Sequence, residues 1–243
     1  MIRSGRPRAV APAAAAFVLS VVTIPSFAAP QARPTVETRR DAAVRLGSLE
    51  DRSATAGLVR LLEDPSEIVR ATAAGQLGRR EDPTAVPFLA SRLGRERRPF
   101  VRKEIAYALG AVGDASAASP LATRLERERD REVRAAIAHA LGELASPLSV
   151  APLVRLVGDK DDFVRRQAVV ALGRIGAGAP VDLLVDRLER DESADVRRHA
   201  AEALGRLGGP RAAGALEAAR RDPDPYVAAA ADAALDRLKG AVR

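Results

Sequence analysis

Two imidazoles, His139 and His199, are the only histidines in this 243-residue chain, which has no cysteine. An imidazole can ligate a metal or carry a proton near neutral pH. Neither stands in a motif that organises such work: there is no HExxH, no GxSxG and no GxxxxGK[ST]. Zero cysteines exclude a thiolate metal site, a cysteine nucleophile, a disulfide framework and a lipid-bearing N-terminal cysteine. Gly173-Arg174-Ile175-Gly176-Ala177-Gly178 is glycine-rich but follows a helical pattern rather than a strand, so it reads as a turn and not as a phosphate cradle. The chemistry left is recognition. Tyr107 is one of two tyrosines, and an amphipathic aromatic with arginines nearby suits a protein-binding surface. Arg92, Arg95, Arg97 and Arg98 crowd one short stretch against Glu96. They would either meet an acidic protein or an anionic lipid headgroup, or serve as solvated turn and ladder residues.

The elements that hold these residues repeat. Val69-Arg70, Val101-Arg102, Val133-Arg134, Val164-Arg165 and Val196-Arg197 are each followed eight residues later by Leu-Gly; Val227-Ala228 with Leu235-Asp236 and Thr38-Arg39 with Leu46-Gly47 are weaker copies. The leading residues recur every 31 or 32 positions, which means a solenoid. Numbered from the leading residue, positions 0, +4, +8 and +11 are apolar, as in Val133, Ile137, Leu141 and Leu144, and they form one face of a helix, here called B. The glycine at +9 permits either a close helix approach or a C-terminal turn. A second apolar pattern precedes each B helix from Val69 onward, for example Val86, Leu89 and Leu93 or Leu184 and Leu188; these are the A helices. Asp64-Pro65-Ser66-Glu67, Asp161-Asp162 and Asp222-Pro223-Asp224-Pro225 supply caps between A and B, with Pro225 at a first helical position. The expectation is an all-α, right-handed α-solenoid: a lone B helix over about 35–48, then six A–B pairs to about Leu238. Apolar residues are 47% and aromatics 3%, so the core must be Ala, Leu and Val, which suits close-packed helices.

The repeat resembles the HEAT repeat, of the short kind often labelled phycobilisome-lyase-like, over about residues 35–243. Its most specific mark is an acid six residues before the arginine at +1: Asp64 and Arg70, Glu96 and Arg102, Glu128 and Arg134, Asp159 and Arg165, Asp191 and Arg197. The resemblance implies a structural ladder in which each arginine reaches acids of its own and an adjacent repeat. The last repeat keeps Asp222 but has Ala228, so the ladder should stop there. One HEAT-class enzyme, deoxyhypusine hydroxylase, binds iron through adjacent His-Glu pairs; His139 and His199 are each followed by alanine, so that inference does not carry over. The resemblance also implies an inner wall of B helices, with positions +2, +3, +6 and +10 facing a partner. That face comprises Lys103, Glu104, Tyr107, His139, Glu143, Arg174, His199, Glu202 and Arg206. No catalytic residue, metal site or cofactor is expected.

The first 28 residues read as a secretory signal: Arg3, Arg6 and Arg8, then an apolar stretch from Ala9 to Ile24, then Ser26 and Ala28 at −3 and −1 of a cut before Ala29. Residues 29–34 would be a short linker and 35–243 the solenoid. Uncleaved retention as an anchor is the other outcome. Cleavage would remove three arginines and no acid, taking the formal charge from +7 to +4. That balance speaks for solubility rather than nucleic-acid binding. The sequence therefore points to an exported bacterial protein, periplasmic or secreted, that binds another protein, with no membrane span in the mature chain. A nucleic-acid-binding solenoid using basic turns, and an accessory subunit or enzyme with an unrecognised site, are the alternatives.

Overall fold

A computed structural model describes residues 34–51, 53–176 and 178–241. The expected signal and most of the linker lie outside these residues. The described residues form thirteen α-helices and two short 3-10 turns. The B helices are α1 (Val36–Ser48), α3 (Glu67–Arg79), α5 (Pro99–Val112), α7 (Arg131–Leu144), α9 (Asp162–Ile175), α11 (Ala194–Leu207) and α13 (Pro225–Ala241). The A helices are α2 (Ser53–Leu61), α4 (Val86–Arg95), α6 (Ala118–Leu125), α8 (Pro147–Leu156), α10 (Val181–Arg190) and α12 (Pro210–Ala219). This is the lone B helix and six A–B pairs that the periodicity predicts. Pro225 does open α13. None of the described helices is long and apolar enough to cross a membrane.

The apolar positions of both patterns are buried in one continuous core. Leu58, Leu77, Leu89, Leu109, Leu121, Ile137, Leu141, Leu153 and Leu172 are fully enclosed. Each such side chain contributes about 1.5–3 kcal/mol by leaving water, and most do so only because a neighbouring repeat covers them.

The glycine at +9 settles on close approach. It lies inside the helix, and a Cβ at Gly78 would come 2.8 Å from the Cα of Ala108. Gly110 stands in the same relation to Ala140, and Gly142 to Ala171, each at 2.8 Å. The partner is always the +7 residue of the next B helix, which is alanine from α5 onward. Glycine against alanine draws the B helices into a tight row.

The two ends break these stacking positions. In α13 the +1, +5 and +9 slots hold Ala228, Asp232 and Asp236 where interior B helices have arginine, a buried aliphatic and glycine. Asp232 and Asp236 are mostly exposed. In α1 the 0 and +7 slots hold Thr38 and Arg45, both exposed. Polar outer faces of this kind are what a terminal repeat needs.

The acid–arginine ladder is present with a changed pairing. Each arginine bonds the carboxylate of the following repeat: Arg70 Nε to Glu96 at 2.8 Å, Arg102 to Glu128 at 2.7 Å, Arg134 to Asp159 at 2.7 Å, and Arg165 to Asp191 at 2.9 Å. Within its own repeat the guanidinium reaches main-chain carbonyls instead of the acid's carboxylate, as Arg70 does with Asp64 O at 2.8 Å. The own-repeat carboxylate is already committed, because it accepts a turn N–H and the preceding arginine. Glu96, for instance, accepts the Arg98 N–H at 2.8 Å. Two further rungs complete the series, Arg39 to Asp64 at 2.6 Å and Arg197 to Asp222 at 2.9 Å, and the ladder ends there as expected. Burial would raise the Glu96 pKa, but the bonds from Arg70, the Arg98 N–H and Arg92 outweigh it and lower it to about 2. The same balance lowers Glu128, Asp159 and Asp191.

Candidate functional site: the exposed face of the B helices

Rows −1, +3, +6 and +10 lie on the open side of the B row. Between α3 and α5 they enclose a hollow of about 370 Å³ lined by Ile68, Thr72, Gly75, Arg79, Phe100 and Glu104. A second hollow of about 350 Å³ continues it over Gly75, Arg79 and Glu104 to Tyr107. Gly75 is the floor, since a Cβ there would meet nothing within 4 Å. Ile68 and Phe100 are half exposed, and Tyr107 is 39% exposed. A cluster of large apolar side chains left open around a hollow is unlike the scattered exposed apolar residues of an ordinary surface. Lys103 does not line the hollow; its Nζ sits 5.7 Å from the centre of the Phe100 ring, within cation–π reach.

Tyr107 and His139 do meet. Their rings are 5.5 Å apart at 71°, an edge-to-face contact. His139 Nε2 is 3.6 Å from Glu143, which also pairs with Arg174. Four predicted face residues thus form one connected strip across α5, α7 and α9. Burial lowers the His139 pKa, Glu143 opposes this and Arg174 adds to it. Burial raises the Tyr107 pKa, helped by Glu104 and Glu132.

His199 and Glu202 belong to a different cluster. His199 Nδ1 lies 2.6 Å from the Asp195 carbonyl oxygen. Arg198 bonds Asp195 at 2.5 Å and Glu202 at 3.2 Å, while Arg166 bonds Asp195 at 2.6 Å. These charges satisfy one another. Arg206 is exposed and stands one helical turn beyond Glu202 on the same helix. The two histidines therefore share no site, and among the described residues no three His, Asp or Glu converge as a metal would require.

The basic turn is largely neutralised. Arg92 bonds Glu96 at 2.5 Å and Glu63 at 3.1 Å, Arg95 bonds Glu63 at 2.6 Å, and Arg98 pairs with Glu67. Of the four, Arg97 alone has no carboxylate partner among the described residues.

Ile68 and Phe100 were not part of the sequence-derived face. The signal was present at position −1 of the repeat, a row that runs Glu37, Ile68, Phe100, Glu132, Phe163, Asp195 and Tyr226, with two large apolar residues in consecutive repeats at Ile68 and Phe100. Only alignment of the repeats by that row brings it out.

The sequence matches the family described as HEAT repeats over four overlapping segments, residues 27–110, 55–141, 118–195 and 164–236. The chain is a HEAT-repeat protein. No curated protein is significantly similar to it in sequence. Solved structures share the fold of this HEAT-repeat protein. The archaeal HEAT-like repeats protein from Thermococcus onnurineus NA1 superposes with a TM-score of 0.57 at 15% identity, over 85% of this chain and 94% of that one. The complex of CpcE and CpcF of phycocyanin lyase from Nostoc sp. PCC7120 gives 0.54 at 21% identity, over 93% and 100%. A designed armadillo repeat protein in complex with the peptide (KR)4 gives 0.54 at 21% identity, over 75% and 98%. At these identities the likeness is one of fold.

Proposed function

We propose that this HEAT-repeat protein is an exported, non-enzymatic scaffold of the bacterial envelope, and that it holds another protein against the exposed face of its B helices. The observation that carries the reading is the open hollow over Gly75, walled by Ile68, Phe100 and Tyr107. The wall is preordered because each helix is locked by ladder bonds and the Gly–Ala row, so a ligand loses affinity to little besides its own ordering. Peptide binding by the designed armadillo protein of similar fold is consistent with this use. Export rests on the Arg3, Arg6, Arg8 and Ser26–Ala28 pattern.

The test is capture from envelope extract of the source cells on immobilised protein starting at Ala29. A Phe100→Ala/Tyr107→Ala variant and a Gly75→Trp variant, which fills the hollow, run beside it. The expected result is one protein enriched by the parent and lost by both variants. Equal recovery on all three would remove the hollow from the reading. N-terminal sequencing of the protein from fractionated cells checks export; a chain retaining Met1 in the cytoplasm would overturn that part.

A further inference from the structure

We propose that Arg174, Arg206 and Arg237 form an edge that takes an acidic, extended segment of the partner protein. The proposal rests on the scaffold reading and names the chemistry of what that face holds. All three arginines occupy position +10 of successive B helices, α9, α11 and α13, and all three are exposed. Towards the N-terminus the same row reads Ser48, Arg79, Ala111 and Glu143, so the concentration of positive charge is confined to one end.

The row's own bonding shows where charge is left over. Arg174 reaches back one repeat to Glu143. Arg206 also reaches back, with Nη1 3.8 Å from where a Gly173 Cβ would stand. What it finds in the equivalent place is Arg174 rather than an acid. Arg206 and Arg237 have no carboxylate within salt-bridge distance among the described residues, whereas the nearby acid Glu202 is held by Arg198. The edge therefore carries at least two uncompensated guanidinium groups.

Geometry favours a polypeptide over other anions. Neighbouring packed helices are about 8–10 Å apart, and a chain extended as a polyproline II helix advances about 3.1 Å per residue with three residues per turn, so every third side chain lies on one face at about 9 Å intervals. Acidic side chains at every third residue would thus meet successive arginines, and each guanidinium can take a carboxylate through two parallel N–H bonds. The adjoining row offers Val170, Glu202 and Ala233. A carboxylate and two aliphatic groups suit a peptide better than a continuous phosphate backbone. Arginines of the acid–arginine ladder are unavailable, being bonded on both sides.

The experiment is fluorescence anisotropy with a labelled peptide of about twelve residues carrying glutamate at every third position. It uses the protein from Ala29 onward. The parent should bind, with affinity falling as salt rises. Arg206→Ala/Arg237→Ala should weaken binding at least about tenfold, and Arg97→Ala, an exposed arginine at another edge, should leave it unchanged. Circular dichroism of each variant verifies the fold. The Phe100→Ala/Tyr107→Ala variant should bind the peptide as the parent does, which separates failure of this edge from failure of the hollow. No binding by the parent would overturn the proposal, as would equal loss on Arg97→Ala. Tighter binding of duplex DNA or of phosphatidylglycerol vesicles than of the peptide would also overturn it, by assigning the edge to a different anion.

Discussion

The edge of the solenoid that carries the acid–arginine rungs and the exposed face of the B helices are built from the same helices, yet they obey opposite rules. Along the edge every repeat does the same thing. An arginine donates to the next repeat's acid, and that acid also accepts a turn N–H, from Arg39–Asp64 to Arg197–Asp222. Along the face no two neighbouring repeats agree: row +6 runs Val44, Gly75, Tyr107, His139, Val170, Glu202, Ala233. The edge is buried and satisfied; the face is open and, at the Gly75 hollow and at Arg206, unsatisfied. Positions fixed by stacking must repeat because each repeat meets the same neighbour. Positions free of stacking can differ, and only differences can distinguish one partner from another.

The comparison can be broken hardest at the ladder. Glu128→Ala strips a carboxylate that is 1% exposed and leaves Arg102 buried without its partner. The loss should be on the order of 3 kcal/mol, read as a lower urea midpoint, while Tyr107→Ala on the face should cost well under half of that. Comparable losses would mean that the two regions are not energetically distinct.

Acid sharpens the same contrast. Glu96 has its pKa lowered from 4.5 to about 2 in the folded protein. The stability this provides is present above the unfolded value of 4.5 and disappears as pH falls towards 2. It should amount to roughly 2 kcal/mol once the partial solvation of the edge is allowed for. Glu96→Gln should lower stability at neutral pH and flatten its decline between pH 4.5 and 2; an unchanged slope would show that Glu96 carries no such linkage.

The smallest effects separate two glycines on the same row of helices. Gly110→Ala places a methyl 2.8 Å from the Ala140 Cα and should cost about 1–3 kcal/mol. Gly75→Ala points into open space and should gain about 0.5–1 kcal/mol from helix propensity. Thermal denaturation of the pair should therefore shift in opposite directions.

The repeating half of this design was legible in the sequence and the variable half only in part. Val69, Val101 and Val133 recur at a fixed interval because each fills the same slot, so periodicity placed the helices, while the resemblance to HEAT repeats implied the end of the ladder at Ala228 and cap chemistry the N-terminal position of Pro225. The pairing within a rung was not legible. Spacing shows that Asp64 and Arg70 are close, but not that Asp64 accepts Arg39 and the Ser66 N–H while Arg70 goes on to Glu96. Tyr107 and His139 could be brought together by row arithmetic, as could Glu143 and Arg174. The hollow could not, because it is made by what Gly75 lacks, and a missing side chain has no periodic signature. Arg92, Arg95 and Arg98 show the converse: a run of like charge in sequence becomes neutral once Glu63 and Glu67 arrive from the preceding repeat.

The polar groups at the two termini of the stack set how this molecule can grow. With Arg45 at one end and Asp232 and Asp236 at the other, a unit appended outside either terminus meets charge where interior repeats present alanine, a buried aliphatic or glycine. A duplicated 31- or 32-residue unit placed inside the array meets the neighbours it requires. Length is therefore editable only from within. Each insertion between α5 and α9 would move the Gly75 hollow away from the Arg206 edge by one helix spacing, about 8–10 Å. The distance between two recognition elements thus becomes a countable quantity, set by the number of repeats between them.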